Sequence, residues 1–316
     1  MTTSRPFEPV ADAPHGDRLA PLRAFANDLA TASRSVETRR SYASAWRSFE
    51  AWANGNGLTI APASGDSVAL YLASLASRGR KAATVSRALT AIVQHHRDRN
   101  LPSPADATVV RRVVRGIRRQ FGSRQISKAP LLCEEVGAMA ATCGTDLRGI
   151  RDRALLLLGF ATGLRRSELV AIEVEHVAFD DDGAVLHIPR SKTDSYARGR
   201  RLRVRPGPDP AACPIASLRA WLVAAPTSSG PLFRSVSRSG KVGQGALHPR
   251  AVERLVKRKA GLLGLNPNVS AHSLRSGFAT EAATRGVSEM TIASALGHAT
   301  LDMARRYVRC LPTDAG

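Results

Sequence analysis

The 316-residue sequence predicts a mainly α-helical protein with one small antiparallel β-sheet, built as an N-terminal helical domain followed by a C-terminal mixed α/β domain. Three observations carry that expectation. The length is generous for one hydrophobic core and ordinary for two. Apolar residues in the first third recur at steps of three and four, as one buried face of a helix requires. One stretch only, 174–205, has the short alternating segments and turn residues of half-buried strands.

The first 20 residues are rich in Pro, Asp and small polar types and read as a flexible arm. The helical domain is expected over 21–122. Within it, Tyr42, Ala45, Trp46, Phe49, Trp52 and Ala53 mark one amphipathic face, stopped by Asn54-Gly-Asn-Gly57. Val68, Tyr71, Leu72 and Leu75 mark a second helix, and Val85, Leu89, Ile92 and Val93 a third. After the break at Leu101-Pro-Ser-Pro104, Val110, Val113, Val114 and Ile117 form the apolar side of a fourth. Its remaining surface gathers Arg111, Arg112, Arg115, Arg118 and Arg119. Charge runs are usually solvated faces, but here five charges of one sign lack intervening acids, which favours contact with a polyanion.

Residues 123–130 have the polar, Gly- and Pro-punctuated look of a linker, leaving 131–316 as the second domain. An apolar helix is expected from Asp152 to Phe160, ending near Gly163, and a short one from Ser167 to Ile172, with Arg165 at the junction. Strands are expected over 174–179, 184–188 and 201–205, with a turn at Asp180-Asp-Asp-Gly183 and Lys192 in the loop before the last strand. The rest reads as helical, with Gly286 and Gly297 closing two of the helices.

Forty-six Lys plus Arg against 26 Asp plus Glu leave a net charge of +20, far more than solubility needs, so a polyanion is the expected partner. An anionic membrane surface would also attract such a chain, but no run approaches the ~18 apolar residues of a spanning helix. A soluble protein follows, with no membrane partner. Cys133, Cys143, Cys213 and Cys310 show no C-x-x-C pairing and no zinc spacing, so they read as reduced and structural, and no metal or cofactor is expected.

The chemistry-bearing residues come in a fixed order: Ala161-Thr-Gly-Leu-Arg165-Arg-Ser-Glu168, Arg190-Ser-Lys192-Thr-Asp, His272-Ser-Leu-Arg275, Leu296-Gly-His298 and Tyr307. Arginine stays charged and grips two oxygens with a planar fork, which suits a phosphodiester whose nonbridging oxygens gain charge during transfer. On a helix, His272 and Arg275 at i and i+3 share a face. Of four tyrosines, Tyr42 and Tyr71 lie on amphipathic faces and Tyr196 in the hairpin loop. Tyr307 alone follows the histidine motif.

This ordered set resembles the tyrosine recombinase, or phage integrase, family. The resemblance implies an N-terminal core-binding domain and a C-terminal catalytic domain that together enclose DNA. By motif, Arg165 and Arg275 would bind the scissile phosphate, with His272 and His298 as hydrogen-bonding and acid–base partners and Glu168 as the acid that braces the site. Lys192 would protonate the leaving 5′ oxygen and Tyr307 would form a 3′-phosphotyrosyl bond, without ATP, metal or other cofactor. The implied partners are double-stranded DNA carrying a specific site, a homo-tetramer on two such sites, and accessory proteins; the implied setting is the cytoplasm, at the nucleoid. Only nine residues follow Tyr307, fewer than the tail that many members pack into a neighbour. Two other readings stay open: a type IB topoisomerase-like nicking-closing enzyme, which uses similar residues, and a noncatalytic DNA-binding accessory protein, which would have a damaged residue set.

Overall fold

The computed structural model describes residues 19–122, 127–189, 199–225, 227–298, 300, 301 and 305. The arm expected over 1–20 lies almost entirely outside them, as do Lys192, Tyr196 and Tyr307. The chain forms two compact units, 1–126 and 127–316.

The first unit is all helix: α1 (Ala20–Ala32), α2 (Val36–Gly55), α3 (Gly65–Ser77), α4 (Ala82–Arg97) and α5 (Thr108–Phe121). Helix α2 starts at Ser35, whose hydroxyl accepts the Thr38 N–H at 3.2 Å, and α3 starts likewise at Ser64. Such caps satisfy an amide the helix leaves unpaired and contribute about 1 kcal/mol each. Helix α2 packs on α4, and α3 on α5. Phe49, Val68, Leu72, Ile92 and Val110 are fully buried between them. Truncating Phe49 to Ala would cost roughly 3–5 kcal/mol by leaving a void. His96 is also fully buried. Its Nε2 accepts the Ala63 N–H and its Nδ1 donates to the Ile92 carbonyl, so one neutral tautomer is fixed.

Helix α5 shows why its sequence alternates valine and arginine blocks. Val110 and Ile117 are buried, while Arg111, Arg112, Arg115, Arg118 and Arg119 are all exposed. No acid occurs in the helix, so the five guanidinia form one positive surface.

The second unit begins with α6 (Cys133–Ala141), which the sequence reading did not separate, then α7 (Leu147–Thr162) and the single turn α8 (Arg166–Leu169). A three-stranded antiparallel sheet follows in the order β1 (Val177–Asp180), β2 (Gly183–Ile188), β3 (Arg200–Val204). Residues 174–176, expected to begin the first strand, instead form a 3-10 turn. Its first amide donates to the Gly230 carbonyl, a remote partner that the local pattern does not reveal.

Helix α9 (Pro214–Ala224) leads to a second correction. The region after 205 is not wholly helical, because β4 (Arg234–Val236) pairs with β5 (Val242–Ala246) as a hairpin. Neither strand has an apolar alternation to advertise it. Tertiary contacts hold it: Arg148 donates to the Val236 carbonyl at 2.9 Å and Arg151 to that of Arg234 at 3.1 Å. Helices α10 (Pro249–Leu262), α11 (Ala271–Thr284) and α12 (Glu289–Leu296) complete the unit.

Helix α7 is the centre of this unit. It packs against α6, α9 and α11 and buries Ala154, Leu155, Leu156, Leu157 and Leu158 in succession. A helix apolar all round belongs in a core. It is tied to α10 by Asp152, a buried carboxylate that accepts from Arg151 at 2.6 Å and from Arg258 at 2.8 Å. Because α7 is fixed on every side, whatever its C-terminus carries is held in place.

Candidate phosphate-transfer site

The segment Ala161-Thr-Gly-Leu-Arg165 is a helix stop with each residue given a task. The Thr162 hydroxyl donates back to the Leu158 carbonyl at 2.6 Å. Gly163 adopts the left-handed conformation, φ 57° and ψ 20°, open to few residues but glycine. A side chain there would also collide with Leu296 and the Phe278 ring. Leu164 is buried at 2% exposure, and the chain emerges at Arg165, the residue that starts α8.

Glu168 orients Arg165 in two ways. One carboxylate oxygen accepts from the Arg165 guanidinium at 2.7 Å, the other from its backbone N–H at 3.3 Å. The latter is half of a capping box. Glu168 is itself 6% exposed, so its charge needs partners, and a second arginine supplies one. Arg200, at the start of β3, donates to its second oxygen at 2.9 Å.

Arg275 is 2% exposed on α11. It donates to the Gly163 carbonyl at 2.9 Å and to the Leu296 carbonyl at 2.8 Å. Both acceptors belong to helix C-termini, where exposed carbonyls and the helix dipole favour a cation. Arg165 reaches the Gly297 carbonyl at the same end of α12, at 3.5 Å. Gly297 caps α12 in the left-handed region, φ 62°, and His298 follows at once, its N–H donating to the Ala293 carbonyl.

The start of α11 is secured separately. Ser270 caps it, and Glu253 of α10 accepts the Ala271 N–H at 2.9 Å while also pairing with Arg166 and Lys257. His272 is therefore placed by a rigid helix end. Although it is exposed, the protein mass beneath it strips part of its hydration. That loss, with the Arg275 and Arg165 charges, lowers its pKa. His298 has both ring nitrogens buried, and its pKa falls to about 4. Desolvation is the first cause, followed by Arg275, Arg165, His272 and Arg200. His298 is thus neutral at pH 7, and His272 is biased in the same direction.

The structure accordingly brings Arg165, Glu168, His272, Arg275 and His298 together, from three separate stretches of chain. Lys192 and Tyr307 lie outside the described residues. Arg200 is the site neighbour that sequence reading missed. Its signal was available, since position 200 shares the inward parity of Leu202 and Val204 on β3. His248 caps α10, its Nδ1 accepting the Arg250 N–H. Among the described residues Cys133, Cys143 and Cys213 are free thiols, and no helix is long and apolar enough to cross a membrane.

Solved structures share this fold. The chain aligns with the Tn1549 transposon integrase in complex with transposon right end DNA at a TM-score of 0.61 and 12% identity, over 87% of this chain and 89% of that one. It aligns with a lambda integrase (75–356) dimer bound to a COC′ core site at 0.59 and 18%, over 91% and 93%. Fold and sequence relationships together define a tyrosine-type site-specific recombinase. The chain belongs to the phage integrase family: residues 131–313 match the Phage integrase family and residues 22–97 the Phage integrase N-terminal SAM-like domain. It is 35% identical over 281 residues to the Integrase/recombinase xerD homolog of Selenomonas ruminantium, covering 87% of this chain and 82% of that protein. Against Recombinase cre of Escherichia phage P1 it is 28% identical over 303 residues, covering 89% and 86%.

Proposed function

We propose that this recombinase cleaves and rejoins DNA by transesterification at a single phosphodiester gripped by Arg165 and Arg275. The observation that carries this reading is that two guanidinia held by Glu168 and by helix C-termini lie close enough to His272 and His298 for their charges to lower both histidine pKa values. Tyr307 attacks phosphorus, the 3′-phosphotyrosyl bond forms, and the 5′ oxygen leaves with a proton. The covalent bond conserves the phosphodiester energy, so rejoining to another 5′-hydroxyl requires neither ATP nor a metal. Four protomers on two DNA sites would exchange strands in two rounds through a four-way junction. The first unit would serve as the core-binding domain and the second as the catalytic domain.

Covalent capture tests this directly. The protein is incubated with a pool of randomised, nicked duplexes, the mixture is denatured, and DNA still attached to protein is sequenced. A single enriched site attached at a 3′ phosphate is the expected result. Adducts without sequence preference would favour a nicking-closing enzyme, and no adduct with any sequence would favour a noncatalytic DNA-binding protein.

Lys192 is assigned as the acid that protonates the leaving 5′ oxygen, a poor leaving group as an alkoxide. Lys192→Ala should cleave ordinary captured DNA slowly and recover on DNA with sulfur at the 5′ bridging position, because sulfur leaves without that proton. An equal defect on both substrates would move the acid role to His272 or His298.

The α5 arginines are assigned to the DNA backbone. Each phosphate contact releases condensed counterion, so affinity should fall steeply with salt. Replacing Arg111, Arg115 and Arg118 together by Ala should reduce the slope of log K against log salt by ~3, about one for each phosphate no longer neutralised. A slope identical to that of the unmodified protein would remove this face from the interface.

A further inference from the structure

We propose that Arg200 is a positioning residue for the phosphate clamp: it fixes the Glu168 carboxylate, which in turn aims Arg165, and so ties the strand that follows the Lys192 segment to the site. This inference rests on the proposed transesterification.

The geometry is a relay of three charged side chains. Arg200 is 15% exposed at its side chain and Glu168 4%. Arg200 Nη2 donates to Glu168 Oε2 at 2.9 Å, and Glu168 Oε1 accepts from Arg165 Nη1 at 2.7 Å. The Arg165 backbone N–H reaches the same Oε2 only at 3.3 Å, so the shorter, charged contact from Arg200 is the stronger hold on that oxygen and keeps Oε1 turned toward the Arg165 guanidinium.

The other side of the Arg200 guanidinium lies against Gly297. A Cβ at Gly297 would overlap Arg200 Nη1 and approach Cζ to 3.0 Å. Arg200 therefore spans from the carboxylate that orients Arg165 to the residue immediately before His298. Its backbone is fixed too, since Arg200 pairs with Ile188 in the β2–β3 ladder. In sequence, position 200 follows shortly after residues 190–198, which include Lys192 and lie outside the described residues.

The test uses the full chain and a nicked duplex bearing the captured site. Arg200→Gln, Glu168→Gln and the double variant are compared in single-turnover cleavage at saturating DNA. A displacement of about 1 Å at a reacting group can cost ~10²-fold, so each single variant should cleave ~10- to 100-fold slower with little change in DNA affinity. The double variant should be no slower than the worse single one, because both act through Arg165. Arg200→Lys, which keeps the charge and folds more conservatively, should recover part of the rate. Multiplying defects, an affinity loss as large as the rate loss, or a normal rate in Arg200→Gln would each overturn the proposal. A crystal structure of Arg200→Gln provides a readout independent of activity. A displaced Glu168 carboxylate and Arg165 guanidinium support the relay even if covalent capture fails, and an unmoved Arg165 overturns it even if capture succeeds.

Discussion

Tyr307→Phe should bind the captured duplex with unchanged affinity and form no covalent adduct at any time. The substitution removes one oxygen and leaves the ring, so contacts to DNA made by the rest of the protein persist while the nucleophile is gone. A phenol of pKa ~10 is almost wholly protonated at neutral pH, so the site must help remove its proton. On the proposed mechanism the cationic cluster of Arg165, Arg275 and Arg200 would supply a field that favours a phenolate. A nicked substrate, which loses its 5′ product by diffusion, makes the comparison absolute because rejoining cannot mask slow cleavage. Equal trapping by Tyr307→Phe would sink the nucleophile assignment outright, and Tyr196 would then be the tyrosine to test.

Arg275→Ala should lower the cleavage rate by ~10²–10³-fold, the usual loss when one donor to a transition-state oxyanion is removed. It should also destabilise the protein, which distinguishes it from Tyr307→Phe. Arg275 is nearly inaccessible and donates to the ends of α7 and α12. Leaving the Gly163 and Leu296 carbonyls buried without these donors costs about 1–3 kcal/mol each. For a domain of this size, each kcal/mol lowers the melting midpoint by roughly 2–4 °C. Calorimetry of the variant should therefore show a fall of several degrees, and cleavage should be compared well below that midpoint. Arg275→Lys retains charge without the fork, so it should keep more stability than activity. Parallel recovery of both would mean that Arg275 serves mainly to hold the helices.

These expectations grew from features of unequal visibility in the sequence. Helices α2 to α5 could be read because each buries one face, and Trp46, Phe49, Val68, Leu72, Val85 and Ile92 all occupy inward positions; α1 buries no residue and left no such pattern to read. The helix stop at Gly163 was legible for the same local reason: glycine follows an apolar run. The hairpin β4–β5 was not, because two of its carbonyls accept from arginines some 80–90 residues earlier in the chain. Arg200 was passed over for a different reason. In a chain this rich in arginine, residue type says nothing, and only the parity of its strand sets it apart from Arg201 and Arg203, which face outward. Glu253 is a third case, since its role at the start of α11 exists only once α10 and α11 are packed together.

The same arrangement makes an anion part of the protein's architecture. Among the described residues Glu168 is the carboxylate paired with Arg165 and Arg200, and the charges of Arg275, Arg165 and Arg200 add to desolvation in holding His298 at about 4. An unfolded histidine titrates near ~6.5, so the unfolded chain takes up a proton that the folded one refuses as pH falls from there toward 4. Stability contributed by the neutral ring is complete above pH ~6.5 and is lost across that interval. A phosphate group seated between the arginines would reverse the balance, drawing the two histidines toward protonation and relaxing the repulsion around them. Inorganic phosphate should accordingly raise the melting midpoint more than chloride does at equal ionic strength, and DNA should do so more strongly still. If the arginines bind the scissile phosphate as proposed, the nucleic acid would complete an ion cluster to which the described residues contribute more positive charge than negative.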